Sequence, residues 1–413
     1  MSEKNLPVSH QRMLELAQAY PTPFHLYDEQ GIRMQARAFR DAFSWVPGFK
    51  NYYAVKACPN PAILQIMKEE GFGADCSSLP ELILARDAGM SQEDIMFTSN
   101  DTPPEEFKTA YDLKAVINLD DISHIKTLQQ AAGMPDLISF RYNPGPDRTG
   151  NAIIGNPVEA KYGVTTQQLL DAYKQAQEAG ATRFALHTMV ASNELDGSYI
   201  VETARMLFTQ AIRLHKELGI RLEFVNMGGG IGIPYHPDQD AMDLNQVSAG
   251  IKQLYDEMIV PAGLDPLNIV FECGRMVTGP FGFLVTRVRH VTEKYKQYVG
   301  LDASMANLMR PALYGAYHHI TVVGKEDREA TELYDVTGSL CENNDKFAID
   351  RKLPVIEPND VVVIHDTGAH GHAMGFNYNA KLRSAEYLLQ SDGSVRMIRR
   401  AETMEDLFAT LHW

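Results

Sequence analysis

The feature that most constrains this fold is a repeating alternation between about residues 50 and 275. Short apolar runs stand at Tyr52–Val55, Gly73–Asp75, Ile95–Phe97, Ala115–Ile117, Ile138–Tyr142, Phe184–His187, Leu222–Asn226 and Ile269–Glu272. Between most of them lie amphipathic stretches such as PAILQIMKEEG, LPELILARDAG, TTQQLLDAYKQAQEAG and YIVETARMLFTQAIRLHKELG, several stopped by glycine. Strands that alternate with helices run parallel, because each helix carries the chain back to the starting edge. Eight such strands predict a closed (β/α)8 barrel of the TIM type, in the α/β class. The alternative, an open doubly wound sheet, more often stops at about five to seven strands and places its glycine-rich turn first.

Beyond Arg275 the texture changes. FGFLVTRVRHV, KQYVGLD, ITVVG, YDVTGSL and DVVVIHDTG are β-rich, with few helical stretches between them. They predict a second, mostly antiparallel, β-sandwich-like domain. Its expected extent is residues 276–413 with 1–27, which carry the helix-like MLELAQAY and the apolar FHLYD, and the barrel takes 28–275. The formal charge of -15 argues against nucleic-acid binding and against adhesion to anionic membranes. No apolar run approaches a membrane span, and the polar start MSEKNLPVSHQ lacks a signal-peptide core, so a cytoplasmic location is expected. Four cysteines, Cys58, Cys76, Cys273 and Cys341, show no CxxC spacing, which indicates neither a zinc site nor a disulfide framework; no metal is expected.

The active site of such a barrel lies at the C-terminal ends of its strands. Strand one is predicted to end at Lys56, strand six at His187 and strand eight at Glu272, while strand seven runs into Met227-Gly228-Gly229-Gly230-Ile231-Gly232. Each has a plain structural reading alone: a strand-capping lysine, a core histidine, a flexible turn, a salt-bridge partner for Arg275. Placed on one rim they form a set that pyridoxal 5'-phosphate chemistry requires. That chemistry needs an amine for the carbonyl, backbone N–H groups for the phosphate, a flat side chain over the ring and a carboxylate at the pyridine nitrogen.

The runs YYAVKACPNPAIL, HTMVASN, MGGGIG, ECGR, LMRPALYGAYHHI, SLCENND and HDTGAHGHAMGFNYNAKLRSAEYLL together resemble the diaminopimelate decarboxylases. These are fold-type III pyridoxal-phosphate enzymes, with an alanine racemase/ornithine decarboxylase-like fold. The resemblance spans essentially the whole chain. It implies Lys56 as the lysine that bonds the cofactor and His187 as the imidazole stacked on its ring. It also implies that Gly229, Gly230 and Gly232, the backbone from Glu272 through Gly274 to Arg275, and Tyr378 hold the phosphate, with Glu272 at the pyridine nitrogen. Arg275, Arg310, Tyr314 and Tyr378 would meet the substrate and its far carboxylate, Glu342 the far ammonium, and Cys341 would supply the proton. In this family the Cys341–Glu342 segment reaches a neighbouring subunit's site, which implies a homodimer with shared sites.

The implied reaction converts meso-2,6-diaminopimelate to L-lysine and carbon dioxide. Decarboxylation of lysine or ornithine is the nearest alternative, and such a substrate needs no arginine fork for a second carboxylate, which makes Arg310 the discriminating residue. A non-catalytic regulatory homologue is a further alternative, against which Lys56, Glu272 and Cys341 speak; an alanine racemase typically pairs the ring nitrogen with arginine. The chain departs from the family's usual pattern at Cys273, where proline is common, at Ala191-Ser192-Asn193, where a glycine-serine pair is common, and at His370, where tyrosine is common.

Overall fold

The computed structural model describes residues 4–149 and 155–412. By contact the chain divides into two units. One comprises Arg33–Ile233 and Ala241–Met276; the other comprises Met1–Ile32, Pro234–Asp240 and Val277–Trp413.

Strand β1 (Phe24–Asp28) belongs to the second unit; the next nine strands build the first. These are β2 (Lys50–Ala54), β3 (Gly73–Cys76), β4 (Ile95–Thr98), β5 (Val116–Leu119), β6 (Leu137–Asn143), β7 (Val164–Thr165), β8 (Arg183–Thr188), β9 (Phe224–Asn226) and β10 (Asn268–Phe271). All their pairings are parallel, and the order β2-β3-β4-β5-β6-β8-β9-β10 returns to β2, which closes an eight-stranded barrel. The two-residue β7 pairs with β6 outside this ring. All eight predicted strands are present, displaced by at most two residues at their ends.

Local signals explain where the return helices begin and end. Asn60 caps the helix Pro61–Glu69 by accepting from the Ala62 N–H, and proline at the first helical position needs no donor there. Asp196 caps the long helix Gly197–Leu218, which stops at Gly219 in the left-handed region at φ 69°. Inside the barrel, Tyr52, Met96, Val116, Leu137, Ala185, Phe224 and Val270 form one buried apolar cluster drawn from seven strands. That layer fills the barrel, so it is a packed core and not a pore. Near the N-terminal ends of the strands the polar groups are satisfied among themselves: Arg183 pairs with Glu93 and with Glu223, both at 2.6 Å.

The second unit is a β-rich assembly. With β1 it contains β11 (Gly282–Glu293), β12 (Gln297–Leu301), β13 (Ile320–Val322), β14 (Glu332–Thr337), β15 (Lys346–Leu353), β16 (Val361–Ile364), β17 (Ala385–Leu389) and β18 (Val395–Arg399). Six of its pairings are antiparallel, while β1–β17 and β12–β14 are parallel. Two apolar clusters hold it. One is centred on Val288, Leu301, Leu308, Val336 and Ile364, and the other on Phe24, Leu26, Val285, Val363 and Tyr387. A buried polar group sits on the β1–β17 pair, where the Tyr27 hydroxyl donates to Glu386 at 2.6 Å and Arg399 also binds that carboxylate. Burial would raise the Glu386 carboxyl, but the charges of His372 and Arg399 and the Tyr27 hydrogen bond hold it down at about 2.

Candidate active site

The run NYYAVKAC differs from expectation at its functional end. Its last ladder pairing is Ala54 with Asp75, and Val55–Ala57 then forms a single 3-10 turn closed by the Cys58 N–H on the Val55 carbonyl at 3.1 Å. Lys56 therefore does not end the strand; it rides on the turn that follows. The turn buries Val55, Ala57 and Cys58 and turns the intervening Lys56 outward to an exposed position. Lys56 thus presents an accessible amine at the C-terminal rim with no cost for burying an ammonium.

Three polar side chains stand side by side on adjacent barrel strands, since Arg141 pairs in register with His187, and His187 with Asn226. The fourth, Glu272, follows directly on β10. His187 Nε2 lies 3.0 Å from Glu272 Oε2, and the Asn226 amide donates to Glu272 Oε1 at 2.7 Å. Because a carboxylate only accepts, Nε2 of His187 carries the proton. The His187 Nδ1 atom is buried with no hydrogen-bond partner among the described residues. Glu272 gives one oxygen to His187 and the other to Asn226.

Two carboxyl groups here are driven apart. Burial would raise Glu272, but His187, the Asn226 hydrogen bond and the Lys56 charge outweigh it and hold Glu272 below its ordinary value. Asp75, on β3, is pushed well above its ordinary value by burial and by the charge of Glu272, against the opposing charges of Lys56 and Arg141. The site thus favours the charged form of Glu272 and the neutral form of Asp75, the arrangement by which neighbouring carboxyls take different tasks. Arg141 itself is held by Asp120 at 2.8 Å and lies over the Tyr162 ring at 4.5 Å.

The glycine loop is built for close backbone approach. A Cβ on Gly229 would stand 2.7 Å from the Glu272 carbonyl oxygen, and one on Gly230, at φ 101°, would stand 2.5 Å from that of Ala191. The Gly229 N–H meets the thioether of Met189 at 3.3 Å, a weak acceptor that an anion readily replaces. Gly232 donates to the Glu194 carbonyl at 2.8 Å, which anchors the far end of the loop. Asn193, a departure from the family pattern, occupies the left-handed region at φ 55° and accepts from the Ile233 N–H at 3.0 Å, the kind of backbone position asparagine tolerates. At Cys273, Asn51 brackets the peptide. Its side chain accepts from the Cys273 N–H at 2.8 Å and donates to the Cys273 carbonyl at 3.0 Å, so this chain uses an N–H that proline lacks. Gly274 packs against Ala54 and Ala57, where a Cβ would approach their side chains to 3.1 and 2.8 Å, and Arg275 opens a short helix, Arg275–Thr278.

These groups fit a phosphorylated pyridine aldehyde. An exposed amine, an ionised buried carboxylate and a glycine loop in which the Gly229 N–H faces only a weak acceptor are the donor set such a group requires. Glu272 has about four acceptor sites, of which His187 and Asn226 take two, so a ring N–H finds room.

The remaining site candidates lie in the β-rich unit. Arg310 is 2% exposed, donates to His318 Nε2 at 2.9 Å and lies with its guanidinium 4.3 Å from the centre of the Tyr235 ring. Tyr314 closes the same short helix, Arg310–Tyr314, and is half exposed. Cys341 and Glu342 are exposed; the Cys341 N–H donates to Asn379 at 2.8 Å, and Glu342 accepts a hydrogen bond from Tyr378, which raises the Tyr378 hydroxyl above its ordinary value. Sequence reasoning missed Asp75, Arg141, Asn226 and His318. Asp75 and Asn226 end their apolar runs much as His187 does, and that position was their available signal.

The family model for the pyridoxal-binding domain of pyridoxal-dependent decarboxylases matches residues 29–279. The chain is 44% identical over 406 residues to protein TabA of Pseudomonas amygdali pv. tabaci, covering 97% of this chain and 93% of that one. It is 36% identical over 397 residues to the diaminopimelate decarboxylase of Methanothermobacter thermautotrophicus, covering 95% and 92%. Among solved structures, the diaminopimelate decarboxylase of M. jannaschii with L-lysine superposes with a TM-score of 0.89 at 30% identity over 97% of this chain and 94% of that one. The Helicobacter pylori enzyme with L-lysine gives 0.88 at 31%, over 96% and 98%.

Proposed function

The chain belongs to the pyridoxal-dependent decarboxylases, and from that premise we propose that it removes the carboxylate from one end of meso-2,6-diaminopimelate to give L-lysine and carbon dioxide. Its cofactor is pyridoxal 5'-phosphate. Bound to the amino group of a substrate, that cofactor supplies an electron-withdrawing ring into which the bonding electrons of a departing carboxylate pass.

The chain's own residues do the rest. Lys56 would hold the cofactor covalently through its amine, which its exposed place on a turn leaves accessible to the substrate's amine. Glu272, kept ionised by His187 and Asn226, retains a proton at the ring nitrogen. His187 would lie against the ring as its flat neighbour. Gly229, Gly230, Gly232 and Gly274, with the Arg275 backbone and the Tyr378 hydroxyl, hold the phosphate. Arg275, Arg310, Tyr314 and Tyr378 receive the far end of the substrate, Glu342 takes its ammonium, and Cys341 delivers the proton that replaces the lost carboxylate. Cys341 and Glu342 act across a homodimer in this reading, and their exposure on this chain is what supports it. The enzyme works in the cytoplasm; among the described residues no helix is long and apolar enough to cross a membrane.

The observation that carries the choice of substrate is Arg310. A guanidinium buried to 2%, oriented by His318 and stacked on Tyr235, is a preorganised fork for a carboxylate. Lysine or ornithine, attached through the amine at the reacting centre, offers no second carboxylate to it. Arg310→Ala is therefore expected to raise KM for meso-diaminopimelate by about 10²-fold, the scale for deleting one partner of a buried charge pair. Cofactor affinity, read from absorbance on titration with pyridoxal phosphate, should stay within about threefold, since the substitution removes less than a hydrogen bond's worth of cofactor contact. Wild-type KM in the variant would refute the substrate assignment.

A further inference from the structure

Arg310 is gripped from two sides. The Tyr235 ring lies under its guanidinium at 4.3 Å, and the His318 imidazole accepts from it at 2.9 Å. His318 Nδ1 in turn contacts the His365 carbonyl at 2.8 Å. A carbonyl only accepts and a guanidinium only donates, so His318 is neutral with its proton on Nδ1. The two rings touch as well, 5.0 Å apart at 64°. The grip therefore depends on two separate segments, Pro234–Tyr235 and His365–Asp366, keeping their places.

One side chain joins those segments. Lys4 donates to the Pro234 carbonyl at 2.5 Å and to Asp366 Oδ2 at 2.7 Å. Both ends of this bridge are buried, with the Lys4 side chain 9% and the Asp366 side chain 4% exposed. Lys4 is thus one residue removed from Tyr235 on one side and from His365 on the other. Burial pushes the Asp366 carboxyl up to about 6, with Lys4 and Arg310 opposing, so its charge is costly without a neighbouring cation. Asp366 also holds φ 60°, a strained conformation for a non-glycine residue that a fixed partner must stabilise.

We propose that Lys4 is a positioning residue for substrate selection: by bridging Pro234 and Asp366 it fixes the Tyr235 ring and the His318 imidazole between which Arg310 is presented to the far carboxylate. The N-terminal segment thereby acts on specificity without touching substrate. This rests on the assignment of Arg310 to that carboxylate.

The test uses the full-length holoenzyme with Lys4→Met, Lys4→Arg, Asp366→Asn and Arg310→Ala. Two ligands are compared as competitive inhibitors, L-lysine, which retains a carboxylate, and 1,5-diaminopentane, which has none. K4M is expected to raise KM for meso-diaminopimelate and Ki for L-lysine by about tenfold, the scale of one charged hydrogen bond. Ki for 1,5-diaminopentane and kcat should stay within about twofold, because no group at the reacting centre changes. K4R should recover most of the loss, and D366N should show the same split in smaller measure, which keeps the proposal testable if K4M fails to fold. Equal weakening of both inhibitors, or no change in either, would mark Lys4 as an anchor of the fold only and overturn the proposal. If R310A itself fails to separate the two inhibitors, the assignment of Arg310 falls and the role of Lys4 falls with it; if R310A separates them and K4M does not, the role of Lys4 alone is wrong.

Discussion

Lys56→Ala is expected to lower kcat by roughly 10⁴-fold or more, because it deletes the group that bonds the cofactor and exchanges it with substrate. The loss should not be structural. Lys56 is exposed, and the turn that carries it is held by the buried Val55, Ala57 and Cys58 and by a backbone hydrogen bond, none of which needs the lysine side chain. The melting temperature should therefore shift by no more than about 2 °C, as for an exposed substitution. The variant should still take up pyridoxal phosphate through its glycine loop, but holoprotein reduced with borohydride and then denatured and digested should carry no cofactor at this position in a peptide map. Activity within tenfold of wild type would place the covalent attachment elsewhere.

Glu272→Gln is expected to lower kcat by about 10²- to 10³-fold, the usual scale for removing one preorganised electrostatic partner of the reacting group. The amide keeps the shape and an oxygen for Asn226 but loses the charge that His187 and Asn226 serve, so the ring nitrogen no longer finds a base that holds its proton. KM should change little, since the carboxylate acts at the ring and not on the substrate's far end. The neighbouring Asp75 should then ionise more easily, because the charge of Glu272 is, after burial, the largest cause that raises it. A large rise in KM with kcat preserved would contradict this division.

How much of this was legible in the residues follows from which forces write themselves into sequence. Barrel strands buried on both faces read as apolar runs, and helices with one buried face read by period, so all eight strands were found. Their ends were less clear. The shift of Lys56 from strand to turn comes from a pairing that stops at Ala54 with Asp75, a relation between residues 21 apart that no local pattern records. The hydrogen bond between His187 and Glu272 likewise reaches across β9 from β8 to the residue after β10, neighbours that only the barrel's strand order creates. Arg141 escaped notice because it is an ordinary polar residue inside its own run, and only the register beside His187 gives it a place at the site. Lys4 left no signal at all, since its partners Pro234 and Asp366 lie 230 and 362 residues away.

The chain shares 44% identity with a protein whose name states no reaction and 36% with a named diaminopimelate decarboxylase, so the substrate is the claim to test first. Carbon dioxide release should be measured with added pyridoxal phosphate on meso-diaminopimelate, D-lysine, L-lysine and ornithine under one set of conditions. The account predicts release from meso-diaminopimelate with L-lysine as product, and kcat/KM at least about 10²-fold lower on each of the others, which lack the carboxylate that Arg310 is set to receive. Comparable release from lysine or ornithine, or none from meso-diaminopimelate by protein that has bound the cofactor, would contradict it.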